Sequence, residues 1–156
     1  MNNIEKITLS IYIPCFNEEN NIISTLNRIK ETVQHISYEM IVVDDGSEDK
    51  TSESVEKFKK NNPNVSIKIL RNENQLGIGF NHRAAARKAS GKYYMLITGD
   101  ADEPAGEIKK IVNNIGKADM ILTYFIDKRE ILRRVVPKIF VIIINLITLS
   151  NIKYYN

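Results

Sequence analysis

Asp100 and Asp102, separated only by Ala101, are the pair in this sequence best suited to chemistry. In an extended backbone, residues two apart project to the same side, so both carboxylates can hold one cation. Hard divalent ions such as Mg2+ take oxygen ligands and share their shell with substrate phosphates. A carboxylate pair at a strand end therefore suits a metal bridging to a diphosphate. Gly99-Asp100-Ala101-Asp102 is also good turn chemistry, and the pair alone leaves both readings open. A second acidic cluster, Asp44-Asp45-Gly46-Ser47, offers a carboxylate to a nucleobase N–H or a ribose hydroxyl. Its bland alternative is a capped turn, with Ser47 or Asp49 opening the next helix. In Pro14-Cys15-Phe16-Asn17-Glu18, Glu18 either caps a helix or reaches a ligand.

The elements that must position these residues are readable from the apolar pattern. Residues 7–13 read as a buried strand stopped by Pro14. Residues 19–34 carry Ile22, Ile23, Leu26, Ile29 and Val33 at helical spacing. A second strand spans 38–43, a solvated helix 51–60 with Val55 and Phe58 inward, and a third strand 65–70. An alanine-rich helix follows at 77–89, with Gly91 expected to close it as a C′ residue. A fourth strand is expected at 93–98, a short helix at 108–115 and a fifth strand at 119–125. Strand alternating with helix at this spacing means right-handed βαβ units and a mostly parallel α/β sheet flanked by helices. Ligands of such sheets bind beyond the carboxyl ends of the strands, where all three acidic clusters fall.

Composition narrows the function classes. The 156 residues are 43% hydrophobic and 26% charged, the balance of one soluble domain. That excludes a disordered tail, a collagen-like repeat and a polytopic membrane protein. Lys and Arg number 22 against 19 Asp and Glu, a net charge of +3, too mild to argue for a nucleic-acid partner. The lone cysteine, Cys15, has no internal disulfide partner and no evident paired base. Without a secretory signal at the start, the expected compartment is the cytoplasm. His35 and His82 lack ligand partners at zinc spacing and read as packing or surface residues. Gly77-Ile78-Gly79 resembles a dinucleotide fingerprint, but His82 stands at its third glycine position. Lys57, Lys59 and Lys60 read as a solvated helix face.

Four ordered motifs carry a family resemblance. They are Ile13-Pro14-Cys15-Phe16-Asn17-Glu18, Val42-Val43-Asp44-Asp45-Gly46-Ser47, Asn74 through Gly77-Ile78-Gly79 with Ala89-Ser90-Gly91-Lys92-Tyr93, and Asp100-Ala101-Asp102. In order and spacing the chain resembles the family 2 glycosyltransferases, in the branch of polyprenyl- and dolichyl-phosphate sugar synthases. The resemblance implies a GT-A fold, Rossmann-like, with a nucleotide-diphospho-sugar donor and a divalent cation, Mg2+ or Mn2+. It implies that Pro14, Phe16 and Glu18 line the nucleoside pocket and that Val43 and Asp45 complete it, with the Asp45 carboxylate on the base. It implies that Asp100 and Asp102 are the metal ligands and that Ala101 meets the nucleotide through its backbone. The implied reaction is inverting transfer to a polyprenyl-phosphate or cell-envelope glycan acceptor. The competing class is a binding module that holds nucleotide sugar without turnover.

The sequence also departs from that branch. Its members often carry Gln two residues after the second Asp, where Pro104 stands with Glu103 beside it. The arginine they often carry after the fifth strand aligns near Phe125, and Arg133 and Arg134 are its expected replacements on the donor diphosphate. Residues 1–127 are expected to bind the donor. Residues 128–156 are expected to begin the acceptor- or membrane-facing region, and the chain to stop before the residues that activate the acceptor. There Lys128, Arg129, Arg133, Arg134 and Lys138 precede an apolar run at 139–149, about half the ~20 residues that span a bilayer. Such a run reads as a core helix, a partner-facing helix or one lying in the membrane interface. No catalytic base, nucleotide, sugar or oligomeric state is legible.

Overall fold

The computed structural model describes residues 7–123, Ile139 and residues 145–147. The chain divides into two compact units, Met1–Ile121 and Leu122–Asn156. The first contains, in order, β1 (Leu9–Cys15), α1 (Ile22–Val33), β2 (Tyr38–Asp44), α2 (Thr51–Asn61), β3 (Ser66–Arg71), α3 (Ile78–Lys88), β4 (Tyr93–Leu96) and α4 (Ala105–Val112). Every strand pairing among the described residues is parallel, in the order β3-β2-β1-β4.

Period-2 alternation divides the core between two faces. Leu9, Ile11, Ile13 and Cys15 of β1 join Met40 and Val42 of β2 beneath α1, α2 and α4. Tyr12, Ile41 and Val43 point the other way, onto Ala85 of α3. In α1, Ile22, Leu26, Ile29 and Val33 recur at helical spacing and are fully buried. Each such side chain contributes about 1.5–3 kcal/mol relative to an exposed one. On the α3 face His82 packs edge-on against Tyr12 and Tyr94, with ring centroids 5.6 and 5.3 Å apart.

Several expectations are corrected. Pro14 does not stop β1, which runs on to Cys15. Tyr12 and Pro14 accept at their carbonyls from Ile97 and Gly99, so the missing Pro14 N–H faces the side where β4 has already ended. β4 itself ends at Leu96, two residues early, because Thr98 bonds to Asp100 and Glu103 in the following loop. α1 begins at Ile22 because residues 17–21 turn, with Asn17 at φ 56°. α4 begins at Ala105, where Pro104 at φ −65° sets the first turn, and ends at Val112. Gly91 is no left-handed cap: a Cβ there would lie 2.5 Å from the Ser10 backbone nitrogen, so glycine permits strand-to-loop contact. The fifth strand is absent over residues 119–123, where Met120 and Leu122 are 72% and 81% exposed and lack the burial that drives a strand. The rest of that segment lies outside the described residues. Within the apolar run, Ile139 and residues 145–147 are helical. Among the described residues no helix is long and apolar enough to cross a membrane.

A buried polar network holds the amino ends of the strands. The Glu39 carboxylate, fully buried, accepts from Ser10 Oγ and the Ser90 backbone N–H, both at 2.6 Å, and pairs with Lys68 Nζ at 2.7 Å. Lys68 also donates to the Lys88 carbonyl and Ser90 Oγ, so one ion pair joins three strands to the end of α3.

Candidate functional site

Strand order reverses at β1: β2 and β3 lie to one side and β4 to the other. The loops after β1 and β4 therefore flank the crevice where open α/β sheets take ligands. The Gly99 N–H donates to the Pro14 carbonyl at 3.1 Å, joining the two loops at its floor.

The loop after β1 is stitched to the one after β2. Asn17 N–H donates to Ser47 Oγ and Asn17 Oδ1 accepts from Glu48 N–H. Glu18 N–H donates to Thr51 Oγ1 at 2.7 Å, Glu19 N–H to Asp49 Oδ2, and Lys50 N–H to the Glu19 carboxylate. Asp49 also accepts the Thr51 N–H and hydroxyl at the start of α2. Asp44 is buried, accepts from Ser47 N–H and Ser52 Oγ, and lies 3.8 Å from Arg71 Nε. Asp44 and Asp49 therefore hold a turn here, although the residue that opens α2 is Lys50 rather than the expected Ser47 or Asp49.

Asp45 holds the segment between β3 and α3. Its Oδ1 accepts from Asn72 Nδ2 and Leu76 N–H, each at 2.8 Å, and its Oδ2 from Gly77 N–H at 2.9 Å. Burial acts to raise the Asp45 pKa, but donors from Asn81, Leu76, Asn72 and Gly77 outweigh it and hold the carboxyl below its ordinary value. A carboxylate offers about four lone-pair sites, and these donors take them up in holding the segment. Gly46, at φ 80°, gives the segment room: a Cβ there would stand 2.9 Å from the Asn74 carbonyl carbon. Burial foremost, with Asp44 and Glu18 nearby, pushes the Cys15 thiol up, so it is not a thiolate nucleophile.

The Asp100–Asp102 segment is a turn rather than the extended run expected of it, with Ala101 at φ 62°. Asp100 Oδ1 accepts from Thr98 Oγ1 at 2.6 Å and from Asp102 N–H at 3.3 Å. Asp100 Oδ2 and the whole Asp102 carboxylate have no partner among the described residues. Behind the turn, α1 supplies Thr25 Oγ1 to the Gly99 carbonyl at 3.1 Å and Arg28 Nη1 to the Ala101 and Glu103 carbonyls at 2.6 and 2.7 Å. No three His, Cys, Asp or Glu side chains converge on a metal position among the described residues. The pair nonetheless fits a cation of the Mg2+ type, which binds through one or two carboxylates and takes its remaining oxygens from phosphate and water.

The other expected site residues fall in different settings. Phe16 is 39% exposed at the crevice, and Pro14 and Glu18 are half-buried beside it. Val43 is fully buried against α3, so only its backbone can face a ligand. Arg133 and Arg134 lie outside the described residues. Sequence reasoning missed Thr25, Arg28, Thr98 and Asn72, which hold the loops. Thr25 and Arg28 carried a signal: two hydrogen-bonding residues at i and i+3 beside the apolar stripe of α1. Asn72 and Thr98 gave none.

The family model "Glycosyl transferase family 2" matches residues 10–149. A dolichol-phosphate mannosyltransferase of Pyrococcus furiosus is 29% identical over 107 residues, 69% of this chain and 30% of that protein. A dolichyl-phosphate beta-glucosyltransferase of Dictyostelium discoideum is 26% identical over 172 residues, 97% of this chain and 53% of the relative. An undecaprenyl-phosphate 4-deoxy-4-formamido-L-arabinose transferase of Proteus mirabilis is 31% identical over 72% of this chain and 35% of its own. The chain thus spans a third to a half of these curated relatives. Among solved structures, S. aureus TarS 1–349 superposes with a TM-score of 0.61 at 22% identity over 80% of this chain and 38% of that one. The mannosyltransferase PcManGT of Pyrobaculum calidifontis, in complex with GDP-Man and Mn2+, gives 0.56 at 23% identity over 65% of this chain and 31% of its own. At these identities the likeness shows the fold, the expected GT-A arrangement.

Proposed function

The chain belongs to glycosyltransferase family 2, and from that premise we propose that it binds a nucleotide-diphospho-sugar donor for transfer to a polyprenyl-phosphate acceptor. Residues 1–127 are the proposed donor-binding part and residues 128–156 the start of an acceptor- and membrane-facing part. The observation that carries the reading is the β1/β4 crevice, where Asp100 Oδ2 and the Asp102 carboxylate have no partner among the described residues, although the Gly99, Ala101 and Glu103 carbonyls around them are all engaged. Oxygens left uncommitted at a switch point suit a divalent cation shared with a diphosphate. When bound, Mg2+ or Mn2+ neutralises the leaving nucleoside diphosphate.

In the proposed site Phe16 offers its exposed ring, and Pro14 and the Val43 backbone close the pocket. The Asp45 carboxylate is proposed to meet the base by exchanging one of its present donors, Glu18 lies at the rim, and the Ala101 N–H faces the nucleotide. Arg133 and Arg134 are proposed to contact the diphosphate. The acceptor assignment is supported by relatives named for dolichyl- and undecaprenyl-phosphate transfer. A lipid phosphate is already anionic and needs little help from a base. The basic residues at 128–138 suit an anionic lipid surface, at ~1 kcal/mol per nearby Lys or Arg. The proposed place of action is the cytoplasmic face of a membrane.

Calorimetric titration with UDP, GDP, CDP and dTDP, in Mn2+ and in excess EDTA, tests the donor site. The expected result is binding of one nucleotide that depends on metal and is lost in the Asp100→Asn/Asp102→Asn variant. Undiminished affinity in EDTA refutes the cation site.

A further inference from the structure

Gly99, Ala101 and Glu103 all present their carbonyls to α1, while the two aspartates between them present nothing to it. One guanidinium nitrogen, Arg28 Nη1, takes two of the three, at 2.6 and 2.7 Å. Between those carbonyls the chain needs a backbone shape that an L-residue rarely adopts, since Ala101 stands at φ 62°. Glycine, the usual answer, is not used. An alanine stays there only if its surroundings over-determine the conformation.

Arg28 has no carboxylate within ion-pair distance among the described residues, although Asp100 and Asp102 belong to the loop it grips. Its bonds are to backbone, so it fixes the loop without neutralising either acid. An arginine suits this task because its planar fork is rigid and permanently charged. Its place on α1 sets the geometry. Ile22, Leu26 and Ile29 bury the helix against the sheet, leaving Thr25 and Arg28 at one-turn spacing along the neighbouring edge. Thr25 holds the start of the turn and Arg28 its middle and end.

We propose that Arg28 is a positioning residue that holds Ala101 in the left-handed conformation and thereby sets the separation and direction of the Asp100 and Asp102 carboxylates for a divalent cation. The cation part rests on the proposed donor site, whereas the part concerning the loop does not. Arg28 touches neither substrate nor reacting atoms in this scheme.

The test uses the full chain as wild type, Arg28→Ala, Arg28→Ala/Ala101→Gly, and Arg87→Ala as a control for losing a surface charge from α3. Circular dichroism first verifies that each is folded. In metal-free protein, the Ala101 Cα and Cβ chemical shifts report its φ directly. They should move from left-handed to averaged values in Arg28→Ala and stay unchanged in Arg87→Ala. Mn2+ affinity, read by electron paramagnetic resonance, should fall roughly 10- to 100-fold in Arg28→Ala, the range seen for partners that orient metal ligands. It should recover in part in the double variant, because glycine takes the left-handed shape without a clamp. A merely structural arginine would not be rescued at position 101.

Retention of left-handed Ala101 shifts in folded Arg28→Ala overturns the proposal, as does Mn2+ affinity equal to that of wild type. If the shifts collapse as expected while wild type itself binds no Mn2+, the clamp stands and the cation site falls.

Discussion

Asp45→Asn gives the most direct test of how the base-side loop is held. The carboxylate accepts Asn72 Nδ2 and Leu76 N–H on Oδ1 and Gly77 N–H on Oδ2. An asparagine has the same shape but one oxygen. Its better orientation keeps that oxygen under two donors and turns its NH2 toward Gly77 N–H, donor against donor. One charge-assisted bond is lost, about 1.5–3 kcal/mol. The two that remain become neutral, roughly half as strong. Together the attachment weakens by about 3–6 kcal/mol. Leu76 and Ile78 are already exposed, so the loss appears as local opening rather than global unfolding. At 1.4 kcal/mol per factor of ten, native-state amide exchange at Leu76 and Gly77 should quicken about 100- to 20,000-fold. In wild type the carboxyl titrates below its unfolded value, so the attachment is complete above about pH 3.9 and is lost as pH falls through the lower folded value. The variant should show no such acid step. Exchange within about threefold of wild type, well under 1 kcal/mol, would refute the reasoning.

Two further outcomes concern the opposite end of the sheet. Glu39→Ala removes one partner of a buried ion pair and should lower stability by about 3–5 kcal/mol in urea unfolding, with Glu39→Gln falling between it and wild type. Burial acts to raise the Glu39 pKa, but Lys68, Ser10 and the Ser90 N–H hold it lower, so its stabilisation is lost as pH falls through the folded value and Glu39→Gln should flatten that acid limb. Gly91→Ala drives a methyl to 2.5 Å from the Ser10 nitrogen and 2.8 Å from the Leu9 carbonyl carbon, backbone atoms with little freedom to yield. About 1–3 kcal/mol of overpacking should lower Tm by roughly 2–12 °C in scanning calorimetry.

The sheet was legible because its strands bury alternate residues on two faces, and β1 to β4 each occur where apolar periodicity placed them, within two residues at either end. What escaped was set by contacts between distant segments. Pro14 reads as a stop in any local rule, yet its missing donor falls where β4 has ended. Gly91 reads as a helix cap, yet its purpose is proximity to Ser10, 81 positions earlier. Met120, Ile121 and Leu122 have the composition of a strand without a partner strand to pair with among the described residues. At the site, residue types were legible and their division of labour was not. Asp44 and Asp45 are adjacent and chemically identical, but one holds the turn before α2 and the other anchors the segment between β3 and α3. Only three-dimensional neighbours decide which.

That division bears on how a cluster of acids at a sheet end avoids cancelling its own charge. Asp44, Asp45, Asp49 and Glu19 are stabilised mainly by N–H and hydroxyl groups. Such donors satisfy a carboxylate's lone pairs without removing its net charge. The one ion pair at this end among the described residues is Arg71 with Asp44, long at 3.8 Å and with the arginine 58% exposed. Arg28 gives its hydrogen bonds to carbonyls. Among the described residues the crevice therefore keeps an excess of negative charge, with the Asp102 carboxylate and Asp100 Oδ2 unpaired. An isolated nucleoside diphosphate would meet repulsion there, whereas a divalent cation would be drawn in. On this electrostatic ground, donor affinity at the proposed site should be conditional on the metal rather than merely improved by it. Adding a lysine near Asp102 would then be a poor substitute for the ion, since a monovalent point charge on a flexible stem lacks both its charge and its fixed oxygen geometry.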